Sequence, residues 1–340
     1  MAEPFVIWSV GRSGTRWAAT FLSAGPWVCC HDLSLRCSSV ADLERVLGVP
    51  RTGTAETGML ILAPLIRRLL PRARFVVIRR PVDEVRASFA ACGPAWEMPD
   101  GLLEAQRDLL DGIAAMPGTL VVDYANLTQE DTCRAIWGHC LDIPWDAERW
   151  AALAGQNIQI DMAARARECD SRLAQIRALA SDIADMSRPV EVRDTSWNEA
   201  VKGGLVELGA RHWAEAGTPG DPYDPNIALL EHLAGAGALQ ITGAWAGRHL
   251  VGYLFFLLSP SFNGHSLEAT RGAVYLRPGW RGPAGIRLYR TALDGLRARG
   301  VARAHLRAGI RGAGDRQATM IRRLGGQPDG ELFTIDLRGA

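Results

Sequence analysis

Arg12, Ser13, Thr15 and Arg16 follow directly on an apolar run, Phe5-Val6-Ile7-Trp8, and on Gly11. The run reads as a buried strand, and Trp17 to Leu22 reads as a helix. Backbone N–H groups converge where a strand turns into a helix, and the helix dipole adds positive potential. Guanidinium charge and hydroxyl donors at that point make an anion site. Phosphate or phosphosulfate is the class of ligand such a loop takes.

The nucleotide-triphosphate loop of ATPases and kinases needs Gly-Lys-Ser/Thr, with Lys on the terminal phosphates. This chain has a single Lys, Lys202, far from the loop. Arg12-Ser13-Gly14-Thr15-Arg16-Trp17 instead resembles the 5′-phosphosulfate loop of sulfotransferases that use 3′-phosphoadenylyl sulfate (PAPS), Lys/Arg-Ser-Gly-Thr-x-Trp. A second segment, Ala73 to Ser88, carries the β-branched run Phe75 to Ile78, then Arg79-Arg80-Pro81, then a helical stretch from Val82 to Ala91. It resembles the family's strand–Arg-x-Pro–helix–Ser element on the 3′-phosphate, which implies Arg79 and Ser88 as ligands. Ser88 lies one residue further along than in the family, and one residue turns a helix by about 100°. Arg80 or Arg86 is the alternative. Thr119 to Leu127, Ala135 to Trp145 and Trp150 to Ile160 resemble the later strand and closing helices, so the likeness covers about residues 4–160.

Sulfuryl transfer calls for cations on the moving group and a base for the acceptor's proton. Arg12 is the candidate clamp. Arg16 adds charge or points to solvent. Trp17 stacks on adenine or fills the core. His31 is the candidate base, with Asp32 as orienter or alternative; a polar loop His is the plain reading. Glu56 is a third candidate.

Composition divides the 340 residues. All seven cysteines fall between Cys29 and Cys169, in no zinc-binding spacing. Their odd number and the lack of a signal peptide lead us to expect a reducing cytoplasm. The net charge of +1 speaks against general nucleic-acid binding. The most apolar run, Leu250 to Leu258, is too short to span a bilayer. Met162 to Met186 reads as one long helix with apolar positions at helical spacing, a connector or a surface for homo-oligomer formation.

From Val190 on, the reading is a strand, helices over Asn198 to Ala216 and Ile227 to Ala236, a hairpin (Leu239 to Trp245, Leu250 to Leu258), a strand over Leu267 to Leu276, a helix from Leu288 to Arg299, a strand over Ala302 to Arg307, a helix over Arg316 to Leu324 and a last strand, Leu332 to Leu337. This order resembles GNAT acyltransferases. The stretch Gly247 to Tyr253 and the loop Arg281 to Leu288 are similar to GNAT-like proteins of tailed phages and prophages. The resemblance implies a pyrophosphate site for acetyl-CoA at Arg281, Gly282, Ala284, Gly285, Ile286 and Arg287. Pro283 removes one N–H donor from it. Glu268 is a candidate general base or an ordinary strand Glu, and Ile321 stands where the family often has a Tyr acid.

The expectation is therefore an α/β chain of two domains. Residues 1–160 form a P-loop-like parallel-sheet α/β sandwich, sulfotransferase-like; 161–187 form a helical connector; 188–340 form a GNAT-like mixed-sheet α/β domain. The function expected is sulfuryl transfer from PAPS, joined to acetyl transfer from acetyl-CoA, onto a small-molecule or glycan acceptor. The alternative is a phage-type binding or structural protein that keeps both folds without the chemistry.

Overall fold

The computed structural model describes residues 3–93, 96, 98–217, 222–261, 264–308 and 314–328. The chain divides into two compact units, Met1–Ser187 and Arg188–Ala340.

The first unit is built on five parallel strands: β1 (Phe5–Trp8), β2 (Val28–His31), β3 (Thr52–Glu56), β4 (Arg74–Arg79) and β5 (Thr119–Asp123), in the order β2-β3-β1-β4-β5. Central β1 is buried along its whole length, as the apolar run requires of a parallel strand covered on both faces. Nine helices connect and cover the strands among the described residues: α1 (Thr15–Leu22), α2 (Val40–Leu47), α3 (Ala63–Leu69), α4 (Val82–Ala90), α5 (Leu102–Ala114), α6 (Glu130–Cys140), α7 (Ala147–Ala154), α8 (Met162–Ser171) and α9 (Leu173–Met186). Phe5 meets Trp27 at 5.5 Å between ring centres, and Phe21 sits among Trp17, Trp137 and Trp145. The strand order reverses direction at β1. In open parallel sheets the crevice beyond the strand ends at that reversal is where ligands bind.

Residues 162–186 are two helices, not one, and fall within the first unit. The apolar stripe explains the break. Leu179, Ile183 and Met186 of α9 are buried, whereas α8 buries no residue and ends at Arg172, whose backbone leaves helical geometry.

The second unit holds β6 (Glu191–Asp194), α10 (Trp197–Lys202), α11 (Leu205–Ala216), α12 (Ile227–Gly235), β7 (Leu239–Ala246), β8 (His249–Pro260), β9 (Leu267–Leu276), α13 (Pro283–Ala298), β10 (Val301–His305) and α14 (Gly314–Arg323). Its sheet runs β10-β9-β8-β7-β6; β9 and β10 are parallel and the other pairs antiparallel. The stretch expected as one helix over 198–216 breaks at Gly203-Gly204, where Gly204 takes a φ of 96°. The last expected strand, 332–337, lies outside the described residues. β10 pairs only with Leu267 to Thr270 of β9, so Arg271 to Leu276 have no β10 partner among the described residues.

Gly53 of β3 lies under the ring of Phe5, and a Cβ there would stand 2.2 Å from the Phe5 Cζ. Overpacking of this kind costs about 1–3 kcal/mol. Gly53→Ala should lower the urea midpoint of the first unit's transition without changing its slope. An unchanged midpoint would mean that the Phe5 ring can move aside.

Candidate functional site

The β1–α1 loop takes its shape from two left-handed residues, Arg12 (φ 64°) and Gly14 (φ 77°). Gly14 is required twice over, because a Cβ would also stand 2.4 Å from a Leu127 methyl. The loop brings the start of α1 to the carboxyl end of β1, with its first N–H groups lacking intrahelical partners. Arg12 Nε donates to Ser88 Oγ at 3.1 Å, so the structure brings together the two motifs singled out in the sequence. Ser13 is fully buried and its hydroxyl donates to the Gly11 carbonyl at 3.4 Å.

Two cavities adjoin this region. One, of about 900 Å³, is lined by Arg79, Arg80, Leu103, Asp111, Asp123 and Tyr124, among others. The other, of about 280 Å³, has a polar wall (Arg12, Ser13, Thr15, Arg16, His31, Asp32, Arg165) and an apolar one (Phe89, Trp96, Met98, Ile158, Ile160, Met162).

Several expected ligands sit elsewhere. Arg79 ends β4 half exposed and pairs with Asp111 at 2.8 Å; it does not reach the loop. Arg80 does: its guanidinium donates to the Arg12 carbonyl, lies 4.2 Å from the Tyr124 ring centre and pairs with Glu84. Arg86 pairs with Glu104 at 2.6 Å. Trp17 is core, with its indole N–H on the Leu153 carbonyl at 2.9 Å and its ring stacked on Phe21. Arg16 is exposed and lines the smaller cavity. Glu56 is buried and spent on structure: it accepts from Thr54 Oγ1 at 2.7 Å and from the Ser34 hydroxyl and N–H at 2.5 and 3.2 Å. Burial raises its carboxyl above the ordinary range.

His31 is the expected residue that the structure connects most closely. Its Nδ1 lies 3.1 Å from Asp32 Oδ2 and its Nε2 3.1 Å from Thr15 Oγ1. Asp32 Oδ1 accepts from the Thr57 N–H (2.8 Å) and hydroxyl (2.9 Å), and Oδ2 also meets the Arg165 guanidinium. Arg165 comes from α8, and no motif or spacing marks it. A carboxylate on Nδ1 sets the tautomer: Nδ1 carries the proton and Nε2 accepts from Thr15. Burial first, then the charges of Arg165, Arg16 and Arg36, lowers His31 to about 3. Asp32 would pull the other way, but Arg165 neutralises it. The described residues contain no cluster of His, Cys, Asp and Glu that could hold a metal.

In the second unit, Ala284, Gly285, Ile286 and Arg287 are the first turn of α13, not a loop, with Pro283 at its start and Gly282 at φ 106°. Arg281 precedes the turn and binds Glu215 at 2.5 Å and the Leu276 carbonyl at 2.9 Å. Glu268 is at the opposite end of β9, paired with Arg303 (3.2 Å) and His305 (3.4 Å), which favours the ordinary strand Glu. Sequence reading missed a cluster on α11, β8 and β9. His212 Nδ1 is 2.8 Å from the Tyr253 hydroxyl and the ring stacks on Tyr275, whose hydroxyl donates to Glu215. Burial raises both tyrosines and lowers His212. No sequence spacing marks residues from three separate elements.

No protein-family model matches the chain, and no curated protein is similar to it. The C-terminal part is similar to solved acetyltransferase structures. A ribosomal-protein-alanine N-acetyltransferase from Brucella melitensis biovar Abortus 2308 is 18% identical over 44% of this chain and 100% of its own, with a TM-score of 0.36. An aminoglycoside acetyltransferase from an uncultured soil metagenomic sample is 19% identical over 44% and 99%, with a TM-score of 0.37. A second one from such a sample, solved with sisomicin, is 14% identical over 44% and 97%, with a TM-score of 0.38.

A buried neutral His has a consequence for stability. Unfolding returns His31 to its ordinary value of 6.5, so between pH 3 and 6.5 the unfolded chain binds a proton that the folded one does not. The contribution of this group is intact above 6.5 and lost as the pH falls toward 3, at up to about 1.4 kcal/mol per pH unit. Urea denaturation at several pH values should show a shallower acid loss in His31→Gln than in wild type. Equal slopes would mean that His31 is not held neutral.

Proposed function

We propose that the first unit transfers a sulfuryl group from PAPS to a hydroxyl or amine acceptor, and that the second unit binds acetyl-CoA for acetyl transfer. The observation that carries the first half is the meeting of the anion loop, the Arg12–Ser88 contact and the Thr15–His31–Asp32 chain at one strand end. The loop offers amides, hydroxyls and arginine in place of the lysine that holds a nucleotide triphosphate. The residues present fit a nucleotide-linked phosphosulfate. The cavity of about 900 Å³ is within the size range of small-molecule sites and lies beside Arg80 and Tyr124. The smaller cavity, mostly apolar with a few charged side chains, suits an acceptor with one reactive polar group. In this arrangement Arg12 steadies charge on the moving group, Arg80 and Ser88 brace Arg12, and His31, neutral and oriented by Asp32, takes up a proton.

The second unit is supported by its own topology. The edge of β9 from Arg271 to Leu276, paired with β8 but without a β10 partner among the described residues, offers backbone groups to an extended chain, and it leads to the start of α13 beside Arg281 and Arg287. Acetyl-CoA supplies a thioester acyl group when bound. Pro283 at the helix start, Ile321 in place of a Tyr and the ion pairs of Glu268 favour a second reading for this unit, ligand binding without transfer.

Thermal-shift titration with adenosine 3′,5′-bisphosphate, and separately with coenzyme A, tests both halves. A ligand at about a hundred times its dissociation constant stabilises the unit it binds by about 2.7 kcal/mol. The bisphosphate shift should vanish in Arg12→Ala while the coenzyme A shift persists. Silence from the bisphosphate would overturn the sulfotransferase reading, and silence from coenzyme A the acetyltransferase one.

A further inference from the structure

Both nitrogens of His31 are occupied. Nδ1 faces Asp32, Nε2 faces Thr15, and the residue is only 7% exposed. An acceptor entering the smaller cavity therefore has no free imidazole nitrogen to meet. Thr15 and His31 both line the smaller cavity, and the atom that occupies His31 Nε2 is the Thr15 hydroxyl oxygen, 3.1 Å away. It already gives its proton to the imidazole, and so has lone pairs left to accept another.

We propose that Thr15 is the residue that meets the acceptor, and that it relays the acceptor's proton to His31. The inference rests on the sulfuryl-transfer reading of the first unit. In the step, the acceptor oxygen or nitrogen forms a bond to the sulfur of PAPS. The bond from sulfur to the bridging oxygen breaks, and its electron pair leaves with the 5′-phosphate of adenosine 3′,5′-bisphosphate. The acceptor's proton passes to Thr15 Oγ1 as the Thr15 proton passes to His31 Nε2. The imidazolium so formed lies against Asp32, which Arg165 and Thr57 hold in place. Thr15 starts α1, so the relay atom and the helix-start amides that would hold the donor belong to the same turn. The proton acceptor is thereby fixed relative to the anion without a flexible side chain at either end.

The experiment is release of sulfate from PAPS, with water as the acceptor, by wild type, Thr15→Val, Thr15→Ser and His31→Gln. Binding of adenosine 3′,5′-bisphosphate is measured on each. The relay predicts that Thr15→Val at saturating PAPS releases sulfate about a hundredfold more slowly, a loss in kcat separate from any change in its affinity for the bisphosphate and at the lower end of what a general base contributes. Thr15→Ser should restore most of the rate, and His31→Gln should match Thr15→Val. Thr15→Val at the wild-type rate beside a slow His31→Gln would overturn the relay and leave His31 as the direct base. Both variants at the wild-type rate would overturn it by making the chain structural. Gain of one sulfuryl group in mass on Thr15 would overturn it in favour of a covalent intermediate. Wild type that binds the bisphosphate and releases nothing, or does not bind it, fails the sulfuryl-transfer reading itself and the relay with it. Should Thr15→Val not fold, nitrogen NMR of wild-type His31 decides: a proton on Nδ1 and a bare Nε2 support the relay, and the reverse tautomer removes it.

Discussion

The carboxylate of Asp32 is the constraint on which the first unit's site depends. It closes β2 in a left-handed conformation (φ 48°) and is 2% exposed. A buried charge is tolerable only when paired and hydrogen-bonded. Asp32 meets that condition with four groups from three places: His31 beside it, the Thr57 N–H and hydroxyl after β3, and Arg165 from α8. The pairing ties α8 to the end of the sheet. Met162 at the start of α8, with Ile158 and Ile160 before it, also lines the smaller cavity. The same carboxylate sets which nitrogen of His31 holds its proton.

The β1–α1 loop has the matching role at the next strand. Left-handed Arg12 and Gly14 turn the chain sharply enough for α1 to begin at Thr15. Arg12 gives its side chain to Ser88 and its carbonyl to Arg80, so the loop is held from α4 and from the end of β4. Residues Gly11 to Arg16 of this loop line the cavity of about 280 Å³, and Val10 and Arg80 line the neighbouring one of about 900 Å³.

The elements of both units were largely legible because hydrophobic period decides them. The buried run at β1, the run at β4 and the hairpin of β7 and β8 carry their own patterns. Contacts between distant elements leave no such trace. Arg165 stands 133 positions from Asp32, and nothing in the sequence of α8 tells its charge from the other arginines there. The resemblance implies Arg79 as the ligand and Arg80 only as an alternative, and the structure places them the other way about the loop. Arg79, the last residue of β4, is carried outward to Asp111, whereas Arg80, after the strand, folds back over Tyr124 to the loop. Trp17 carries the motif's residue type yet lies on the core face of α1, where Phe21 and Leu153 claim it. The His212–Tyr253–Tyr275 cluster joins three elements that only the sheet brings together.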